Sequence, residues 1–362
     1  MGERNILTLL AMTIGVIVSP TFAQDAEKPK PAGPDKVDQA IGRAMKYLVS
    51  AQGKDGEIVD RPANQTAMTS LAILAMAAVG HQPSDDTPEG QAMKKALAFV
   101  LRADRQDGQG YLGGRDVSRM YGHGIATLML TELLGMGVDA QMDQLLRDRS
   151  KKAVEMILRS QSIKKDARSQ GGWRYQPESG DSDLSVTVWQ LMALRSAKNA
   201  GLEVPKEAIE QAVGYVKRCY HSPKGPDGKP TNAKSGCGYE PGRGPEYAMA
   251  SAGLLSLQVC GEYDCFEVKG SADWLKEKKV DYNQEWFFYG TYYFAQGMFQ
   301  RGGDYATYAR KMVEELILPK QQPDGSWLAS HGQENGAGKV YSTSMACLCL
   351  AVKYHYLPIY QR

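Results

Sequence analysis

Asp181-Ser182-Asp183-Leu184 places two carboxylates one residue apart, directly before the apolar run that begins Ser185-Val186-Thr187. Paired carboxylates are the usual equipment of acid–base chemistry, because each shifts the pKa of the other. The same residues also suit an ordinary helix start, with Asp181 or Ser182 as N-cap and Asp183 in the first turn. His123 lies between Gly122 and Gly124 on an apolar segment. That position suits either a hydrogen-bond partner for a reacting acid or a histidine satisfied inside the core. Trp189, Trp286, Phe287, Phe288, Tyr289, Tyr292 and Tyr293 supply aromatic faces. Such faces line a cavity that stabilises cations, or they pack as core. Glu246 and Glu285 add further carboxylates before apolar segments. The sequence has no His-Glu-x-x-His, no phosphate-binding glycine loop and no Gly-x-Ser-x-Gly, so metalloprotease, nucleotide and serine-hydrolase chemistry lack support.

These residues fall on two alternating kinds of helical segment. Amphipathic segments are expected at 37–51, 90–103, 142–160, 206–220, 271–279 and 305–318. Segments apolar on all sides are expected at 67–79, 119–134, 183–200, 247–259, 284–299 and 341–352. One kind covers a surface and the other is buried, so an outer ring of helices around an inner ring is expected. Glycine turns recur between them. The fullest reads Gln321-Gln322-Pro323-Asp324-Gly325-Ser326-Trp327, a Gln-x-x-x-Gly-x-Trp spacing. Looser copies are Gln52 to Gly56 with Ile58, Gln106 to Gly110 with Tyr111, Gly171-Gly172-Trp173 and Gly236-Cys237-Gly238-Tyr239. Recurrence of one turn between helix pairs marks a repeat fold.

That turn and the paired helices resemble the prenyltransferase and squalene-cyclase repeat superfamily. The stretches Tyr121-Gly122-His123-Gly124-Ile125-Ala126, Gly171-Gly172-Trp173-Arg174-Tyr175 and Leu357-Pro358-Ile359-Tyr360 are similar to its secreted single-toroid bacterial members. The resemblance implies an all-α fold, an α/α toroid of about six helical hairpins over residues 36–362. It implies that the N-terminal ends of the inner helices converge on one mouth. Gln65, Thr66, Tyr121, His123, Asp181, Asp183, Trp189, Glu246, Tyr247, Glu285, Trp286, Tyr289, Tyr341 and Ser342 would then gather there. Asp181-Ser182-Asp183-Leu184 matches the Asp-x-Asp-Asp of squalene–hopene cyclases, which would make Asp183 the catalytic acid; His123 is a candidate hydrogen-bond partner for it. Leu184 stands where that motif has its last acid. Asp181, Tyr121, Trp189, Glu246, Trp286 and Tyr289 are the expected substrate-binding residues. The zinc-binding Asp, Cys and His of protein prenyltransferases find no match near Glu246 or Tyr341-Ser342-Thr343. The thioester of complement domains is excluded because Gly236-Cys237-Gly238-Tyr239-Glu240 lacks the glutamine.

The chain has 362 residues, 43% of them hydrophobic, with a net charge of +2, and no basic run suggests nucleic acid. Arg4, the apolar stretch Ile6 to Val18 and Ser19-Pro20-Thr21-Phe22-Ala23 read as a signal peptide (residues 1–23). The stretch is short against the ~20 residues of a membrane span. A Pro/Lys-rich leader (24–35) follows. Export permits disulfides: Cys260–Cys265 could close a short loop, and Cys219–Cys237 could staple a helix end to the following loop. Cys347 and Cys349 suit buried apolar roles. The expectation is an exported toroid whose central cavity binds an apolar, isoprenoid-type ligand, with no metal or cofactor. Alternatives are a terpenoid cyclase or transferase using Asp183, a sugar-cleaving carboxylate pair, and a non-enzymatic scaffold for a cell-envelope protein.

Overall fold

The computed structural model describes residues 33–137 and 139–361; the stretch expected to be a signal peptide and most of the expected leader lie outside them. The described residues form thirteen α-helices and no named strand, only isolated bridges. The outer ring is α1 (Lys36–Ser50), α3 (Pro88–Val100), α5 (Ala140–Ser162), α7 (Lys206–Cys219), α9 (Phe266–Lys276) and α11 (Gly303–Ile317). The inner ring is α2 (Gln65–Ala78), α4 (Arg119–Glu132), α6 (Leu184–Asn199), α8 (Tyr247–Val259), α10 (Phe287–Arg301) and α13 (Lys339–Leu350). The short α12 (Gly332–Ala337), which the sequence pattern does not reveal, precedes α13. Among the described residues no helix is long and apolar enough to cross a membrane.

Burial follows the two patterns. In α1, Val37, Ala40, Ile41, Ala44, Met45 and Leu48 are buried at three- and four-residue intervals, and the opposite face is solvated. In α2, every residue from Thr66 to Ala78 is buried. Inner helices pack in the order α2, α4, α6, α8, α10, α13 and back to α2, so the ring closes. Each of the first five inner helices packs on the outer helix that follows it, whereas α13 packs on α1. Closure is fixed by charge as well: Lys353 Nζ bridges Asp35 at 2.9 Å and Asp38 at 2.6 Å.

A glutamine pins each well-formed turn to the ring. Gln52 Nε2 donates to the Gly56 carbonyl at 3.0 Å and to Ala92 in α3 at 2.8 Å. Gln106 does the same to Gly110 and to Arg149 in α5, both at 3.0 Å. Gln161 reaches Gly171 and Ala208 in α7, both at 2.9 Å, although ten residues separate it from its glycine. Gln321 reaches Gly325 at 2.9 Å and Ala40 in α1 at 2.8 Å, so the last pin closes the ring. The glycines sit at φ +100, +90, +89 and +88° for Gly56, Gly110, Gly171 and Gly325. The two residues beyond each glycine lead into the core. The N–H groups of Ile58, Trp173 and Trp327 donate to Thr69, Thr187 and Thr343 of the inner helices, each at 3.0 Å. In the second turn the donor is Leu112 rather than Tyr111, and the acceptor is His123 Nδ1 at 3.2 Å. All six cysteines are free, including the Cys219–Cys237 and Cys260–Cys265 pairs.

The C-terminal segment inserts at the far end of the ring. Leu357, Ile359 and Tyr360 are buried. Ile359 N donates to Glu132 Oε2 at 3.1 Å, and Ser196 Oγ donates to Glu132 Oε1 at 2.5 Å. The Tyr360 hydroxyl bonds that of Tyr292, whose ring stacks on Trp189 at 5.8 Å. Burial pushes the Glu132 carboxyl up to about 7, against smaller opposing effects of Ser196 and Ile359.

Gly325→Ala forces a side chain into a left-handed backbone and places Cβ 2.4 Å from the Arg43 carbonyl oxygen. The backbone strain alone costs on the order of 1–3 kcal/mol; a denaturant midpoint equal to wild type would refute the pin. Because the folded pKa of Glu132 lies above its unfolded value, its contribution to stability is complete below about pH 4.5 and lost as pH rises to about 7. Glu132→Gln is therefore expected to flatten the fall in melting temperature between pH 5 and pH 8, measured against wild type.

Candidate functional site

The inner helices open at their N-terminal ends into one central cavity of about 730 Å³, within the range of small-molecule sites. All six contribute. The lower wall carries Leu71, Ile125, Trp189 and Met345, each between one and two turns inside its helix, and is apolar. Above it stand the rings of Tyr121, Tyr175, Tyr239, Tyr289 and Tyr341. The rim carries Asn64, Arg119, Glu246, Trp286, Gln333 and Glu334.

Three rim residues have left-handed backbones at the N-caps or first residues of inner helices: Asn64 at φ +59°, Arg119 at +55° and Trp286 at +59°. Such a conformation is tolerable for asparagine and strained for arginine and tryptophan. The strain directs their side chains to the mouth, where Trp286 remains 37% exposed. It also explains why α10 begins at Phe287 rather than at Gln284.

The helix ends are otherwise neutralised by acids. Asp116 Oδ2 accepts the Ala67 N–H of α2 at 2.8 Å, and Asp60 accepts the Lys339 and Val340 N–H groups of α13 at 2.6 and 3.0 Å. Glu334, carried by α12, accepts the Tyr289 and Phe288 N–H groups of α10 at 2.8 and 3.2 Å and the Tyr341 hydroxyl at 2.8 Å. Burial raises its pKa despite these donors. At α8 the N-cap Glu246 makes no capping bond, and its carboxyl has no hydrogen-bond or ion-pair partner among the described residues. Its pKa is raised by burial, and the neighbouring charges of Arg243 and Glu285 act in opposite directions.

Asp183 is itself the N-cap of α6 and is fully buried. Its Oδ1 accepts the Val186 N–H at 2.9 Å and the Ser185 hydroxyl at 2.6 Å, and Oδ2 lies 3.4 Å from Arg174 Nε. Burial raises its pKa while Ser185, Val186 and Arg174 favour the anion. The carboxyl does not line the cavity. It reaches the cavity through Ser185, which bonds the Tyr121 hydroxyl on the wall. Arg174 ties this corner together: Nη1 contacts Glu240 at 2.7 Å and Asp181 at 3.3 Å, and its guanidinium lies over Tyr175 and Tyr239. An arginine in contact with three carboxylates and two rings is a structural hub, and Asp181 belongs to it rather than to the cavity lining.

Tyr121, Trp189, Glu246, Trp286 and Tyr289 thus gather around one space, as the convergence of inner helices requires. His123 does not join them. It is fully buried, Nδ1 accepts the Leu112 N–H, and Nε2 faces the Ala153 carbonyl at 3.2 Å. It occupies the seat that Thr69, Thr187 and Thr343 fill in the other turns, and burial lowers its pKa to about 4, so it stays neutral. A catalytic partnership with Asp183 has no geometric basis. The sequence reading also missed Arg119, Tyr239 and Glu334. Glu334 sits on a helix too short to show periodicity, and left-handed strain at Arg119 leaves no mark in the sequence.

No protein-family model and no curated protein matches the sequence. Solved structures match over most of their length. A type II terpene cyclase from Scytonema is 13% identical, with a TM-score of 0.54, over 87% of this chain and 97% of that one. A cellobiose 2-epimerase from Bacillus thermoamylovorans is 11% identical, with a TM-score of 0.61, over 88% of this chain and 99% of that one. A possible member of the GH105 family from Salmonella enterica is 14% identical, with a TM-score of 0.54, over 93% of this chain and 99% of that one.

Asp183→Ala removes the cap and one of the three carboxylates around Arg174, an expected loss of about 1–3 kcal/mol in chemical unfolding. Asp183→Asn keeps the capping oxygen and is expected to lose less; equal losses would show that the cap is not what Asp183 supplies. The chain is an all-α toroid, the fold it shares with these terpene cyclases, epimerases and glycosidase-related proteins.

Proposed function

We propose that the central cavity binds an amphipathic small molecule whose apolar, isoprenoid-type body lies on the lower wall and whose polar end stays at the rim. The observation that carries this reading is the order of the lining along the inner helices: Leu71, Ile125, Trp189 and Met345 deepest, Tyr121, Tyr289 and Tyr341 nearer the helix starts, and charges only at the mouth. Burying an apolar body there is driven by ~25 cal/mol per Å² of apolar surface removed from water, and tyrosine rings present an apolar face with a polar tip. With a signal peptide at residues 1–23, the protein would meet its ligand outside the cytoplasm.

Acid-initiated cyclisation at Asp183 is the weaker reading, because its proton would have to pass through Ser185 and Tyr121 to reach a ligand. Sugar cleavage draws support from Glu246 and Glu334 lining the same cavity with raised pKa values. Glu334 is occupied by three donors, which leaves Glu246 as the one free carboxyl of the two. Turnover of aryl glycosides that disappears in Glu246→Gln would establish it over the binding reading.

Mass spectrometry of organic extracts from protein purified out of its native cells tests the proposal. A near-stoichiometric amphiphile is expected, retained at least severalfold less by Trp189→Ala. Empty wild-type protein, or retention unchanged in Trp189→Ala, would refute it.

A further inference from the structure

Opposite charges stand two places apart around the cavity mouth, on α4 and α8. Arg119 belongs to α4 and Trp286 to the start of α10, and these helices are three places apart in the six-membered inner ring. Glu246, at the start of α8, is next to Trp286 in that ring. Arg119 is exposed, lines the cavity and makes no side-chain hydrogen bond or ion pair among the described residues. Glu246 is exposed at the same mouth and equally unpartnered, although Arg243 is near enough to influence it. The third charge at the rim, Glu334, is buried and satisfied by its own donors.

The two free charges form no ion pair with each other, yet they face one space. Trp286 lies beside the negative side with Tyr289 edge-on to it at 6.4 Å. A carboxylate flanked by an indole face is the arrangement that holds an alkylammonium, by charge and by cation–π attraction. A guanidinium with its donors free is suited to a phosphate or carboxylate, which it can bond twice.

We infer that the ligand carries a zwitterionic head group, with its anionic part held by Arg119 and its ammonium part held by Glu246 and Trp286. This rests on the reading of the cavity as an amphiphile site and specifies the head that the rim selects. Neutral heads would leave both charges without partners, and a singly charged head would satisfy one and oppose the other.

The test is a tryptophan-fluorescence titration of the full chain with four probes sharing one dodecyl chain, each below its micelle concentration. These are dodecylphosphocholine, dodecyltrimethylammonium, dodecyl sulfate and dodecyl maltoside. The phosphocholine is expected to bind at least tenfold tighter than the other three. Arg119→Met and Glu246→Gln are each expected to weaken phosphocholine binding by about tenfold, the size of one charge-assisted contact. Both variants are expected to keep the wild-type melting temperature, which shows that they fold, and to change maltoside binding by much less than phosphocholine binding. Equal binding of all four probes, or equal binding of the ammonium and the phosphocholine, overturns the head-group inference and leaves the cavity reading intact. Failure of every probe to bind overturns the cavity reading itself.

Discussion

One amide holds each well-formed turn of this ring. The Nε2 group of a glutamine donates twice, once to the carbonyl of its own turn glycine and once to a carbonyl of an outer helix. The glycine must be left-handed and bare, because its Cα lies against the backbone of the same outer helix. The chain beyond it is thereby aimed inward, where its next free N–H meets a side chain on the inner helix. Gln321 makes the same bonds across the seam between the last turn and α1. A ring of helices has no end from which to fray once that seam is shut, and the Lys353 bridges to Asp35 and Asp38 reinforce it.

The inner helices are held parallel by this scaffold, so their N-terminal ends meet at one mouth. Six converging helix ends would make a strongly positive site. The chain counters this with acids: Asp116, Asp183, Glu334 and Asp60 each accept backbone N–H groups of a different inner helix. Asp183 is therefore best understood as one of a set. Its burial, its cap and its contact with Arg174 have the logic of its counterparts, and its link to the cavity runs through Ser185 and Tyr121. Glu246 breaks the set by leaving its helix uncapped and its carboxyl free, which makes it the acid to explain by function.

The C-terminal segment occupies the other end of the ring. Tyr360 reaches Tyr292, and Tyr292 stacks under Trp189, so the tail and the cavity share one aromatic column. The aromatic stripe of α10 accordingly has two roles: Tyr289 faces the space, while Tyr292 and Tyr293 form the support beneath it. Helical periodicity places them on one helix but does not say which ring is wet.

The all-α ring, the two classes of helix and the glycine turns are legible in the sequence, because they rest on local periodicity and on a backbone conformation that glycine favours. The gathering of Tyr121, Trp189, Glu246, Trp286 and Tyr289 follows from the resemblance once inner helices are assumed to converge. The tertiary structure decided the rest. It assigned His123 to a threonine's seat in a turn, since only packing shows that both ring nitrogens face backbone groups. It found Gln161 as a pin despite its long spacing from Gly171, because the intervening loop folds out of the way. It placed Arg119 and Trp286 at the mouth through left-handed backbones that no residue pattern encodes. Charge and hydrophobicity are properties of single residues and can be read in order along the chain. Which charges remain unpaired depends on neighbours brought together from distant helices, and only the closed ring fixes those.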